Sequence, residues 1–176
     1  MEKITISQLE QYLSKAAWIL KGPVDASDFK AYIFPLLFFK RISDIYDEEY
    51  KIALGESDGD EEYAALDDFH RFVIPKGCHW KDVRETTVNI GLSLEKAFRG
   101  IEQENQNFLY GIFGDASWTN KNRLSDETLT NLIEHYSKHT LNLENIPDDQ
   151  LGNGYEYLIK KFADDSGHTA AEFYTN

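Results

Sequence analysis

His135 and His139 are the first pair whose spacing could do chemistry, because residues four apart share one helix face. Two imidazoles on one face make half of a zinc site. The zinc-protease helix puts a glutamate directly after its first histidine, and here that place is Tyr136. No cysteine pair lies near to complete a ligand set, so the two histidines read as exposed polar residues near a helix end. The acidic run "ESDGDEE" has the composition of a calcium loop but not its register. Counted from Asp58, the places of the required glycine and the closing glutamate hold Tyr63 and Phe69. It reads as a solvated acidic loop. A metal hydrolase built from these acids with His70 finds no supporting spacing. Cys78 and His79 are neighbours in sequence, which does not aim a base at a thiol, and Cys78 reads as structural. There is no G-x-G-x-x-G, P-loop or G-x-S-x-G pattern, and Pro23, Pro35, Pro75 and Pro147 are never adjacent to one another. Taken on its own residues, the chain shows no active site.

The elements that would position any site are mostly helical. Leu9, Leu13, Ala16, Ala17 and Leu20 predict a helix over 5–20, with Ser7 and Glu10 as its capping box and Gly22–Pro23 as its stop. Asp25 is placed to cap the next segment. From Phe29 to about Leu54 apolar residues fall on nearly every face, which predicts the central helix of the domain. Pro35 predicts a kink there, or two abutting helices. "HRFVIP", 70–75, is the one extended segment. Asp82 or Thr86–Thr87 is expected to cap a long helix reaching Glu104, and 108–118 to be an aromatic packed loop. Ser125 and Thr128 open another helix, and 142–154, with Pro147, Gly152 and Gly154, reads as a polar boundary before a last helix. The fold class is therefore mainly α, a helical bundle with at most one short strand or hairpin.

Composition narrows the function. The chain carries 31 acidic and 18 basic residues among 176, a net charge of −13. Such a field repels phosphate backbones, so a free-standing nucleic-acid binder is not expected. A single cysteine excludes an internal disulfide and fits a reducing cytoplasm. The N-terminus lacks the pattern of a signal peptide, and "YIFPLLFF" is far shorter than the ~20 residues that span a bilayer. With 14% aromatic residues, the chain can build a substantial core.

Several segments, in order, resemble one family. They are "AAWILKGPVDASDFKAYIFPLLFFKRISDIYDEEY", "FVIPKGCHWKDVRETTVNIGLSLEKAFRGIEQEN", "RLSDETLTNLIEHYS" and "LGNGYEYLIKKFADDSG". Together they are similar to the N-terminal region of the modification (methyltransferase, HsdM) subunits of type I restriction–modification systems. The resemblance implies an S-adenosylmethionine-dependent DNA adenine-N6 methyltransferase in full-length form. It also implies partners: a specificity subunit, a second modification subunit, a restriction subunit, and duplex DNA through the full complex. In that family an E-F-Y-T-P segment opens the catalytic domain and helps bind the cofactor. Glu172, Phe173, Tyr174 and Thr175 match it, whereas Asn176 stands where the proline is expected. The N-P-P-[FYW] loop that holds the flipped adenine cannot be present without adjacent prolines. Residues 1–150 are accordingly expected to be an N-terminal helical domain. Residues 151–176 are expected to be a linker helix and the start of a truncated catalytic domain, and this polypeptide to be inert alone. In the isolated chain, Phe173 and Tyr174 are expected to cover the helical core or to lie loose. A helical interaction adaptor unrelated to methylation fits the same composition.

Overall fold

A 28-residue helix, α2 (Phe29–Glu56), runs through the middle of the protein. The computed structural model describes residues 3–167, and side chains as far as residue 161. Tyr32, Ile33, Leu36, Leu37, Phe39, Ile42 and Ile45 of α2 are all buried, as its all-round apolar pattern requires. Pro35 lies inside the helix, which is assigned without interruption, so the two-helix alternative does not occur. An interior proline costs about 3 kcal/mol. Burying the neighbouring Phe34, Leu36 and Leu37 offsets that, at roughly 1.5–3 kcal/mol for each large side chain.

Around α2 stand α1 (Ile6–Leu20), α4 (Trp80–Arg84), α5 (Ile90–Glu104), α7 (Asp126–Tyr136) and α8 (Asp148–Gly167). Short α3 (Glu61–Ala64) and α6 (Gln106–Leu109), with two 3-10 turns, fill the connections. No strand occurs among the described residues, in keeping with a helical bundle. Helix α1 packs on α7 and α2, and α8 packs back on α1. Three hydrogen bonds pin the first three of these together. The Tyr12 hydroxyl donates to the Tyr136 carbonyl, His135 Nε2 meets the Tyr12 carbonyl at 2.6 Å, and the Tyr136 hydroxyl donates to the Ile33 carbonyl at 2.8 Å.

Several local expectations are corrected. The capping box of α1 is Thr5 with Gln8 rather than Ser7 with Glu10. The segment 70–75 forms no strand, because its pairing partner is a side chain. Val73 N–H donates to Asn105 Oδ1 at 2.9 Å and Asn105 Nδ2 donates to the Val73 carbonyl at 2.8 Å. Of the two starts expected for the long helix reaching Glu104, the one at Asp82 does not occur, since Asp82 lies inside the separate α4, and the helix begins at Ile90, beyond Thr86–Thr87. Asn89 adopts a left-handed conformation (φ 54°), and the N–H groups of Asn89 and Ile90 both donate to the Asp126 carboxylate at 3.1 Å. The first turn of α7 thus caps α5 across the fold, which no local pattern encodes. Residues 148–154, read as loop, begin α8, and Gly154 is buried against Leu9 and Ile6 of α1. Packing overrides glycine's weak helix propensity there. The aromatic loop is as expected: Phe113 and Trp118 are buried, and the Phe113 ring stacks on Phe98 at 4.4 Å.

Two glycines separate steric need from mere tolerance. A Cβ on Gly91 would lie 1.8 Å from the Trp118 carbonyl oxygen, which is backbone and cannot step aside. A Cβ on Gly152 would meet nothing within 4 Å. Gly91→Ala is expected to destabilise the protein by about 2–3 kcal/mol in urea unfolding, by overpacking. Gly152→Ala is expected to stabilise it by about 0.5–1 kcal/mol, through helix propensity and a less flexible unfolded chain.

Candidate functional site

The stretch "KRISDIYDEE" on α2 places Lys40, Arg41, Asp44 and Glu48 inside an otherwise apolar helix. Lys40, Arg41 and Asp44 are only 5%, 5% and 8% exposed. All of them face the segment 139–148. Lys40 pairs with Asp44 and donates to the His139 carbonyl at 2.7 Å. Arg41 donates to the carbonyls of Leu141, Asn142 and Ile146 at 3.1, 2.9 and 2.6 Å, and to Asp148 at 3.0 Å. Asp44 accepts from Leu141 N–H, and Glu48 from the N–H groups of Leu143 and Glu144. Ser43 on the same helix accepts from Trp80 N–H at 3.0 Å. Burial lowers the Arg41 guanidinium's pKa and raises that of the Asp44 carboxyl, Lys40 opposing the latter. For Asp148, burial pushes up, but hydrogen bonds from Arg71 and Arg41 hold the carboxyl below its ordinary value. These charges serve architecture: they satisfy the backbone of a loop and fix where α8 starts.

Two concavities lie along other parts of α2. One is a cleft of about 550 Å³ between α2, the 74–79 segment and α4, lined by Tyr46, Asp47, Tyr50, Lys76, His79 and Lys81 among others. The Tyr46 ring stacks on His70 at 3.7 Å and meets His79 edge-on at 4.8 Å. Burial lowers the His79 pKa. Burial first, then the charge of Asp44, pushes Asp47 up to about 6. Asp47 stands at the exposed rim, where solvent screens its interactions, so its contribution to stability is small. The other concavity is a groove of about 330 Å³ floored by Phe34, Pro35 and Phe38 of α2. Tyr155 and Ile159 of α8 form one wall, and Ile112 and Ala116 the other.

The residues singled out from sequence do not converge on one site. His135 is 7% exposed and bonded to α1, which corrects its reading as an exposed residue; burial lowers its pKa. His139 lies beyond the end of α7, edge-on to the Tyr12 ring at 4.9 Å. Asp60 caps α3 through Tyr63 N–H, and His70 Nε2 meets the Ala64 carbonyl at 2.7 Å. Cys78 is half-buried beside Gly100, and burial, then the charge of Asp82, raises the thiol pKa, which suits a structural cysteine. Among the described residues no three His, Cys, Asp or Glu side chains are grouped to hold a metal ion. Glu172, Phe173, Tyr174 and Thr175 lie outside the described residues. Sequence reading missed the Arg41–Glu48 clasp, whose signal was charge on the face of a helix otherwise apolar all round.

The profile of the HsdM N-terminal domain matches residues 9–136, from α1 through the end of α7. The chain belongs to the HsdM N-terminal domain family. Its fold agrees with the crystal structure of a type I restriction–modification system methyltransferase subunit from Streptococcus thermophilus. The TM-score is 0.70 at 25% identity, over 93% of this chain and 40% of that one. This HsdM N-terminal domain thus spans less than half the length of that subunit, and α8 extends beyond the part matched by the family profile.

Two measurements probe the site. Arg41→Ala takes the shared donor from the carbonyls of Leu141 and Ile146, while Asn142 keeps the Ile146 N–H and Asp148 keeps Arg71, and is expected to cost about 2–4 kcal/mol in chemical denaturation. The Asp47 carboxyl is expected to titrate near 6 by carbon-detected NMR, against about 3.9 for an ordinary aspartate. Because the folded pKa is the higher one, its protonation adds stability that is complete below about pH 4 and lost as pH rises through 6. Asp47→Asn should abolish that part of the pH dependence.

Proposed function

We propose that this HsdM N-terminal domain is the helical assembly domain of a type I restriction–modification DNA adenine-N6 methyltransferase subunit and is catalytically inert alone. The observation that carries the reading is the family match over residues 9–136. The domain packs against the catalytic part of its subunit. It helps bring a second modification subunit, a specificity subunit and a restriction subunit together around duplex DNA. S-adenosylmethionine is bound by the full-length protein, with Glu172, Phe173, Tyr174 and Thr175 contributing the first strip of its pocket. The complex works in the cytoplasm. Among the described residues no helix is long and apolar enough to cross a membrane.

The charge of −13 supports a role in subunit contacts over a direct grip on phosphates. Most of the charged side chains buried in α2 are spent on the protein's own backbone, and Asp44 and Glu48 are the wrong sign for DNA. A helical adaptor outside methylation would share the acidity but would not join a methyltransferase assembly.

The test is to mix the purified chain with S-adenosylmethionine in a calorimeter and, separately, with duplex DNA at physiological salt. No saturable heat and no tight DNA binding are expected. The full-length subunit, assembled with its specificity subunit, is expected to methylate adenine and to lose assembly when residues 1–150 are deleted. Tight duplex binding by this chain alone, or full assembly without those residues, would overturn the proposal.

A further inference from the structure

A pocket of about 270 Å³ lies where the start of α1 meets the segment that follows α7. Lys3, Gln8, Lys138, His139, Thr140 and Asn145 line it, and none of its lining residues among those described carries a carboxylate. Each water of the liquid takes ~30 Å³, so the pocket has room for a small polyatomic ion with part of its hydration shell. In a chain of net charge −13, a hollow with two ammonium groups and no acid is a local reversal of sign.

The donors here are largely uncommitted. Lys3 gives one of its N–H groups to the Glu144 carbonyl at 2.8 Å and keeps the others. Lys138 is exposed, and its ammonium makes no hydrogen bond or ion pair among the described residues. Gln8 Oε1 accepts from Thr5 N–H at 2.9 Å, which leaves the Gln8 amide nitrogen to donate elsewhere. Carbonyls that would draw a cation are already taken: Tyr136 by the Tyr12 hydroxyl, His139 by Lys40, and Thr140 by Asn145 Nδ2. Burial, then the charges of Lys40 and Lys138, hold the His139 pKa below its ordinary value, so its ring is neutral at neutral pH.

One group points to the kind of anion. Asn145 is 3% exposed, and its Oδ1 is buried with no hydrogen-bond partner. Its Nδ2 donates to the Thr140 carbonyl at 2.8 Å, which fixes which end of the amide is the acceptor. A buried acceptor without a donor is costly, so the ligand that suits this pocket brings an O–H as well as negative charge. Sulfate and phosphodiesters carry no such proton at neutral pH. A phosphomonoester loses its last proton near pH ~6, whereas free hydrogen phosphate keeps one.

We propose that this pocket binds inorganic phosphate as the hydrogen phosphate ion. Lys3 and Lys138 neutralise its charge, Gln8 and Thr140 donate to its oxygens, and its hydroxyl donates to Asn145 Oδ1. The inference rests on the pocket and does not depend on the methyltransferase reading.

A nitrogen–proton NMR titration of the purified chain at neutral pH tests this, with sodium chloride holding the ionic strength constant. Millimolar phosphate is expected to give saturable shifts of the Asn145 and Gln8 side-chain amides and of the His139 and Thr140 N–H groups. Sulfate and methyl phosphate are expected to bind at least about tenfold more weakly, for want of the proton that Asn145 accepts. Lys138→Gln is expected to weaken phosphate binding about fivefold or more, and Lys15→Gln, an exposed α1 lysine outside the pocket lining, to change it less than about twofold. No saturable shift with phosphate would overturn the proposal and leave a buried water as the partner of Asn145. Sulfate or methyl phosphate binding as tightly as phosphate would overturn it as well. So would equal effects of the two lysine variants, since a diffuse field and not this pocket would then hold the ion.

Discussion

The fold depends on one buried electrostatic arrangement, the clasp of α2 charges on the backbone of 139–148. Lys40, Arg41 and Asp44 lose water when the bundle closes, and taking an ion out of water costs several kcal/mol. What offsets that cost is complete hydrogen bonding. Arg41 alone meets three carbonyls and a carboxylate, and Asp44 and Glu48 take the N–H groups that the loop would otherwise leave unpaired. A loop with buried backbone polar groups needs such partners. Because Arg41 ends on Asp148, the same clasp sets the first residue of α8, and Arg71 holds that aspartate from the other side. The placement of α8 follows from α2.

The second constraint is steric and sits at the start of α5. The helix begins against the backbone of Trp118, closer than any Cβ permits, and the carboxylate of Asp126 supplies its cap. The N–H of Trp118 in turn donates to Glu95, one turn into the same helix. Helices α5 and α7 and the aromatic loop are therefore fixed by one cluster of contacts. Phe98, Phe113 and Trp118 fill the volume behind it, with ring centroids 4.4 and 5.5 Å apart.

The domain is proposed to serve assembly. Its perturbed groups fall into two kinds. Arg41, Asp44 and His135 are shifted because they are buried in structural hydrogen bonds. Asp47 and His79 are shifted at the edge of an open cleft. Neither set joins a nucleophile to an oriented base, which is the arrangement nucleophilic catalysis requires. The chain is acidic overall, and an apolar groove lies between α2 and α8.

Much of this was legible in the sequence. The spacing of Leu9, Leu13 and Ala16, the apolar density from Phe29 to Ile45, and the Ser125 cap with Leu129, Leu132 and Ile133 specify α1, α2 and α7, because helical periodicity and local capping are short-range signals. The family was legible too, since its motifs run in order along the chain. The break between α4 and α5, the helix running through Gly152 and Gly154, and the burial of His135 were not. Each is decided by a residue far away in sequence: Asp126 for α5, Leu9 and Ile6 for α8, and Tyr12 for His135. The sequence by itself determined a mainly helical, acidic domain of a recognisable family. Only the tertiary structure decided that Lys40, Arg41 and Asp44 are buried and, with Glu48, clasp a loop rather than form a charged surface, because a side chain's partners become fixed only when the segment 139–148 closes over α2.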